Sequence, residues 1–217
     1  MTTRGLFITV EGGEGVGKST NITFLEQHLR QRGVDLLVTR EPGGSKLGEA
    51  LRQLLLDITD EAVDPMAELL MMFAARAQHI KTRIEPALRA GRWVVCDRFT
   101  DATYAYQCGG RGLARDAVAT LETLVQGQLR PDCTVLLDAP VSTGMARATK
   151  RGELDRFEQE EMAFFERVRA TYLDLAERSS GRFRVIDASQ PLAAVQQQLG
   201  KVCNELTNCW RVRHPLP

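Results

Sequence analysis

The chain has 217 residues, 43% hydrophobic and 26% charged, a balance suited to one sizeable folded core and unlike disordered or fibrous sequences. Its 28 lysines and arginines equal its 28 aspartates and glutamates, so no general field draws nucleic acid or an anionic membrane, and any anion site has to be local. The most apolar stretch, Ala67 to Ala75, contains Glu68 and falls far short of the roughly 20 residues needed to cross a bilayer.

Leu6 to Glu11 forms an apolar strand pattern directly after Met1-Thr2-Thr3-Arg4, with no separate apolar leader and cleavage site, so the chain is expected in the cytoplasm. Gly12-Gly13-Glu14-Gly15-Val16-Gly17-Lys18-Ser19 follows and fits G-x-x-x-x-G-K-[ST]. A helix is expected next over Lys18 to Gln31, with Ile22, Leu25 and Leu29 at helical spacing and Gly33 as its stop. Glycines in such a loop let successive N–H groups turn toward phosphate oxygens, and the helix presents its positive end to them. Lys18 adds a point charge, Ser19 a hydroxyl for Mg²⁺, and Thr20 a second hydroxyl. Polyphosphate binding by Gly12 to Thr20 is therefore the firmest expectation.

A second strand is expected over Asp35 to Thr39, leading into Thr39-Arg40-Glu41-Pro42-Gly43-Gly44, and a helix over Ala67 to Ile84 with Pro65 near its start. The third strand, Trp93 to Asp97, leads into Arg98, and strands over Cys133 to Asp138 and Phe183 to Asp187 complete a set of five. Strands alternating with helices imply parallel strands buried on both faces, hence a three-layer α/β fold in one domain over residues 1–207. Arg147, Lys150, Arg151 and Arg156, with Gly152 among them, precede a helix expected from Glu160 to Arg178 that Ser179-Ser180-Gly181 ends. Residues 208–217, with two prolines and little pattern, are expected as a loose tail. The five cysteines are scattered without a C-x-x-C pair and are expected as reduced thiols.

The loop alone does not separate kinases, motors and switches. A GTP-dependent switch needs N-K-x-D and D-x-x-G, and neither occurs; 217 residues also leave little room for the extra domains of a motor. A monophosphate acceptor and a triphosphate donor repel each other, so arginines at strand ends have a clear use between them. Each arginine taken singly reads as a solvated charge, Tyr106 as a packed core residue, and Glu14 as a carboxylate favoured by a helix dipole.

The set of motifs resembles the bacterial thymidylate kinases. The resemblance rests on Glu11 to Thr20, Thr39 to Gly44, Phe73-Ala74-Ala75-Arg76, Asp97-Arg98-Phe99, Tyr106-Gln107 with Gly109-Gly110-Arg111-Gly112, and Arg151-Gly152-Glu153-Leu154-Asp155-Arg156-Phe157, in order over about residues 5 to 200. It implies the P-loop NTPase fold, with a five-stranded parallel sheet flanked by helices, a short helical lid at about residues 147–158, and a homodimer. It implies ATP as phosphoryl donor, Mg²⁺, and dTMP as acceptor.

By the same resemblance, Lys18, Arg98 and the lid arginines Arg151 and Arg156 are catalytic, the lid supplying the arginine that this glycine loop lacks. Glu14 would face the sugar hydroxyl, and Arg98 and Arg52 the acceptor phosphate, beside Pro42. Arg76 would donate to a thymine carbonyl, Thr103 and Gln107 complete the reading of the base, and Tyr106 lie against the deoxyribose. Thymine stacking is assigned to Phe73, with Met72 as the alternative. Ser19 and Asp97 are the metal candidates, Asp97 acting through water or else pairing with a neighbouring cation.

Overall fold

The computed structural model describes residues 4–57, 61–149, 155–179 and 181–213. In chain order its elements are β1 (Phe7–Glu11), α1 (Lys18–Gln31), β2 (Leu36–Arg40), α2 (Lys46–Leu56), α3 (Pro65–His79), α4 (Glu85–Arg89), β3 (Trp93–Asp97), α5 (Thr100–Thr103), α6 (Arg115–Gln126), β4 (Cys133–Asp138), α7 (Val141–Thr149), α8 (Met162–Arg178), β5 (Phe183–Asp187) and α9 (Leu192–Arg213). Wider π-helical turns, Ile80–Ile84 and Tyr104–Gly110, join α3 to α4 and extend α5.

The five strands form one parallel sheet in the order β2-β3-β1-β4-β5. With β3 on one side of β1 and β4 on the other, the loop after β1 emerges at the sheet's centre, among the carboxyl ends where parallel sheets bind ligands. All five residues of β1 are buried, as a central strand with helices on both faces requires.

On one face, α1 and α9 bury Ile22, Leu25, Leu29, Val195, Leu199 and Val202 against β1 and β4. On the other, α8 brings Phe164, Phe165, Val168 and Tyr172 against Leu136 and Tyr106. Helix α3 starts as its sequence directs: the Asp64 side chain accepts from the Met66 and Ala67 N–H groups at 2.8 and 3.2 Å, and Pro65 takes the first position. Its buried stripe then departs from apolar expectation, because Glu68 and Arg76 lie on it beside Leu69 and Phe73.

The expected loose tail is corrected over residues 208–213, which continue α9. Val202, Cys203, Leu206 and Trp210 recur at helical spacing, and the Trp210 ring meets Trp93 edge-on at 5.9 Å, so the helix is held by tertiary burial. The two prolines fall at 215 and 217, past the helix and outside the described residues. Among the described residues no helix is long and apolar enough to cross a membrane.

Candidate active site

A cleft of about 560 Å³ opens where the loops after β1, β2 and β3 converge, walled also by α3 and by the turn Tyr104–Gly110. Its floor is the glycine loop. Gly12, Gly15 and Gly17 adopt φ of 140°, 66° and 87°, a region in which side chains are strained. At Gly15 there is also no room: a Cβ would overlap the carbonyl of Gly144 in α7, so the loop and α7 meet glycine against glycine.

Lys18 Nζ donates to the carbonyls of Gly13 at 2.7 Å and Gly12 at 3.2 Å, which stretches it along the loop. Burial, reinforced by the Arg98 charge, pulls its pKa below the usual lysine value, and a polyanion in the cleft would reverse that. Beneath the loop, Glu11 accepts from the Phe99 N–H at 2.7 Å and the Tyr172 hydroxyl at 2.9 Å. Burial, with the charge of Asp101, pushes its carboxyl up to about 8.

Arg98 sits at φ 65°, an uncommon value for a non-glycine residue, and this turns its side chain back over the loop. Its guanidinium donates to Glu14 at 2.5 Å, to the Tyr106 hydroxyl at 2.9 Å, to the Tyr172 hydroxyl at 3.2 Å and to the Gly12 carbonyl at 3.1 Å. The Tyr106 hydroxyl in turn donates to Glu14 at 2.6 Å. Three residues chosen from the sequence for one acceptor thus touch each other. Arg52 donates to the Pro42 carbonyl at 3.1 Å, and both line the cleft.

At the far end Arg76 lies between two rings, its guanidinium carbon 4.7 Å from the centroid of Phe73 and 5.0 Å from that of Phe99. Its Nε donates to Glu41 at 2.6 Å and one terminal nitrogen to the Thr103 hydroxyl at 3.0 Å, while the other, Nη1, is buried without a partner among the described residues. Glu41 is held on its second oxygen by His79 Nδ1 at 2.9 Å, and His79 Nε2 meets the Thr39 hydroxyl at 2.7 Å. A buried ion pair stabilises little compared with apolar side chains of the same volume. Its presence on an apolar helix stripe, with both N–H groups of Nη1 left over, is what a polar partner in the cleft would account for.

Most residues expected from the sequence line this cleft: Glu14, Gly15, Gly17, Lys18, Ser19, Thr20, Pro42, Arg52, Arg76, Asp97, Arg98, Thr103, Tyr106 and Gln107. Gly12, Gly13 and Val16 lie behind the loop, on a small space facing β4 and α7. Phe73 does not reach the cleft; it packs under Arg76 with Leu69 and Val118, and Met72 takes the place on the wall expected for it. Arg156 also faces elsewhere: it donates to Glu68 at 2.7 Å and to the Leu55 carbonyl at 2.8 Å, and stacks on Phe157. Arg151 lies outside the described residues, whereas Arg147 lines the cleft and donates to the Ala188 carbonyl at 3.0 Å.

Ser19 and Asp97 both border the cleft, and among the described residues Asp97 Oδ1 is buried without a hydrogen-bond partner, as a group facing a cation or its water would be. Among the described residues no three acidic, histidine or cysteine side chains cluster as a metal cage. One carboxylate and one hydroxyl suit Mg²⁺, which keeps most of its shell as water and phosphate oxygen.

The sequence reading missed Glu41, Glu68, Phe99, His79 and Tyr172, which aim or support the cleft residues. Glu41 and Phe99 lay inside the motifs of the resemblance, and Glu68 was a charge inside the most apolar stretch; Tyr172 carried no signal, since helical spacing reads it as core.

The family described as thymidylate kinase matches residues 10–199. A thymidylate kinase of Teredinibacter turnerae is 59% identical over 195 residues, covering 90% of this chain and 95% of that protein. One of Pseudomonas savastanoi pv. phaseolicola is 57% identical over 202 residues, covering 93% and 96%. Among solved structures, the crystal structure of thymidylate kinase from Ehrlichia chaffeensis superposes with a TM-score of 0.74 at 32% identity, covering 93% of this chain and 99% of that one.

Proposed function

This chain belongs to the thymidylate kinase family, which converts dTMP and ATP to dTDP and ADP on the way to dTTP, and from that premise we infer how its cleft divides the work. The observation that carries the reading is the pairing, in one cleft, of a glycine loop bearing Lys18 with a buried Arg76 whose Nη1 has no partner among the described residues. The loop's N–H groups and Lys18 hold the ATP phosphates. Arg98 and Arg52 hold the acceptor phosphate, and Arg76, Thr103 and Gln107 face the thymine edge.

One oxygen of the dTMP phosphate attacks the terminal phosphorus of ATP as the bond to the bridging oxygen breaks, leaving ADP. Lys18 and Arg98 stabilise the charge that spreads over the transferring group, which is positioning and electrostatics rather than covalent chemistry. Glu14 and the Tyr106 hydroxyl, already bonded to each other and to Arg98, are placed to take up the sugar hydroxyl and exclude a ribose. Ser19 and Asp97 would hold Mg²⁺, which screens the phosphate charge when bound. The lid role falls to Arg151, with Arg156 as the alternative in a closed state. Arg156's contact with Glu68 supports an anchoring duty for it here.

We further propose one domain with a lid at about residues 147–158, working in the cytoplasm as a homodimer. Exposed Leu54, Met66 and Leu70 on α2 and α3 support the dimer, and sedimentation at micromolar concentration tests it. For the activity, ADP release is measured with dTMP, dUMP, dCMP and AMP in turn. Release should be fastest with dTMP; equal rates with dCMP or AMP would refute the base assignment, and no release with any would refute the kinase.

A further inference from the structure

Glu68 is a fully buried carboxylate in the most apolar stretch of the chain, and it accepts hydrogen bonds from three places at once. Gln107 Nε2 donates to it at 2.9 Å, Arg156 at 2.7 Å, and Arg111 by two N–H groups at 3.3 Å each. Two guanidinium groups balance its charge, an arrangement no packing requirement calls for, because a leucine would fill the space without desolvating a charge.

We propose that Glu68 is a positioning residue for base selection, fixing the Gln107 amide so that its oxygen is presented to the acceptor base; the inference rests on the assignment of Gln107 and Arg76 to the thymine edge. A carboxylate accepts and has nothing to donate, so the nitrogen of the amide must be the end that faces Glu68. Gln107 is 1% exposed and lines the cleft, and with its nitrogen held, the oxygen is its remaining free end. Arg76, fixed by Glu41, offers an N–H on the same wall. The wall therefore reads as one acceptor beside one donor.

Thymine and uracil complement that pair with the ring N–H at position 3 and the carbonyl at position 4. Cytosine carries a bare nitrogen and an amino group there. Its amino group would meet the Arg76 N–H, and its ring nitrogen the Gln107 oxygen, leaving all four buried groups unpaired. Without Glu68 the amide can turn over and present an N–H to the cytosine ring nitrogen, so the share of this rejection that Gln107 supplies is lost while the share of Arg76 remains.

The test compares kcat/KM for dTMP, dUMP and dCMP in the wild type, in E68Q, and in the exchange variant E68Q/Q107E. In E68Q the dTMP-to-dCMP ratio should fall at least about tenfold, the loss expected when a polar reader stops discriminating, while the dTMP-to-dUMP ratio and the KM for ATP stay within about twofold. In the exchange variant the amide now on α3 can donate to the carboxylate now on the facing turn. The charge is conserved and an acceptor again faces the base, so most of the dTMP-to-dCMP ratio should return. Structural damage alone would slow all three monophosphates together; an unchanged dTMP-to-dCMP ratio in E68Q overturns the proposal. So does an exchange variant that folds, by circular dichroism, and still lacks the ratio; if E68Q does not fold, the exchange variant decides alone. A wild type that does not prefer dTMP to dCMP would instead overturn the assignment of the base site, and this inference with it.

Discussion

Where the cleft meets the glycine loop its wall is backbone, held by local geometry: positive φ at three glycines, the start of α1, and Lys18 lying along its own loop. On the other side of the cleft the wall is side chains, and two of its guanidinium groups are aimed by carboxylates from other segments: Arg98 by Glu14 and Arg76 by Glu41. On the proposed division the glycine-loop half recognises what every nucleoside triphosphate shares, for which a short contiguous motif suffices. The acceptor half, on the same division, distinguishes one base and one sugar, which requires donors and acceptors fixed in direction, and a carboxylate that holds one nitrogen of a guanidinium sets where the others point.

The largest effect expected from breaking this division is in Lys18→Ala. The Lys18 ammonium group donates to carbonyls of its own loop, so the fold should persist while kcat falls on the order of 10²- to 10³-fold, the range for loss of one preorganised donor to the transition state. Steady-state ADP release and a thermal melt measure the two, and near-normal turnover would sink the role assigned to Lys18.

Arg76→Met comes next, because it strips the charge and leaves Glu41 buried with His79 as its remaining side-chain partner. The KM for dTMP should rise at least about tenfold, and unfolding stability should drop by about 3 kcal/mol, since removing one member of a buried pair leaves the other uncompensated. The KM for ATP should not move; if it rises as much as that for dTMP, the two halves are not separable.

The last effect, read in stability alone, concerns Glu11, which lies beneath the glycine loop. Its folded pKa of about 8 stands above the ordinary 4.5, so the folded chain holds this proton more tightly than the unfolded one. The stability it contributes is full below pH 4.5 and is lost as pH rises toward 8. Glu11→Gln keeps the shape and removes the titration. The melting temperature of the wild type should therefore fall relative to that of the variant between those limits, and parallel curves would rule the shift out.

The glycine loop, the five strands and the helix after Gly17 are legible in the sequence because each depends on neighbours along the chain: glycines where φ is positive, apolar runs where both faces are covered, spacing where one stripe is buried. Residues 208–213 are misjudged from sequence because what holds them is Trp93, more than a hundred positions away. The choice between Phe73 and Met72 stayed open for a related reason, since one helical position is about 100° of rotation, and only the packing of α3 puts Met72 on the cleft wall and Phe73 beneath Arg76.

The sequence by itself determined the glycine loop, the alternating strands and helices, and which polar residues would gather near the strand ends. Only the tertiary structure decided which way those polar residues point and which carboxylates hold them. Glu41 meets Arg76 across 35 positions, Glu68 meets Arg156 across 88, and Glu11 meets Tyr172 across 161. Direction at a binding wall is set by such long-range partners, and no periodicity or local propensity encodes them.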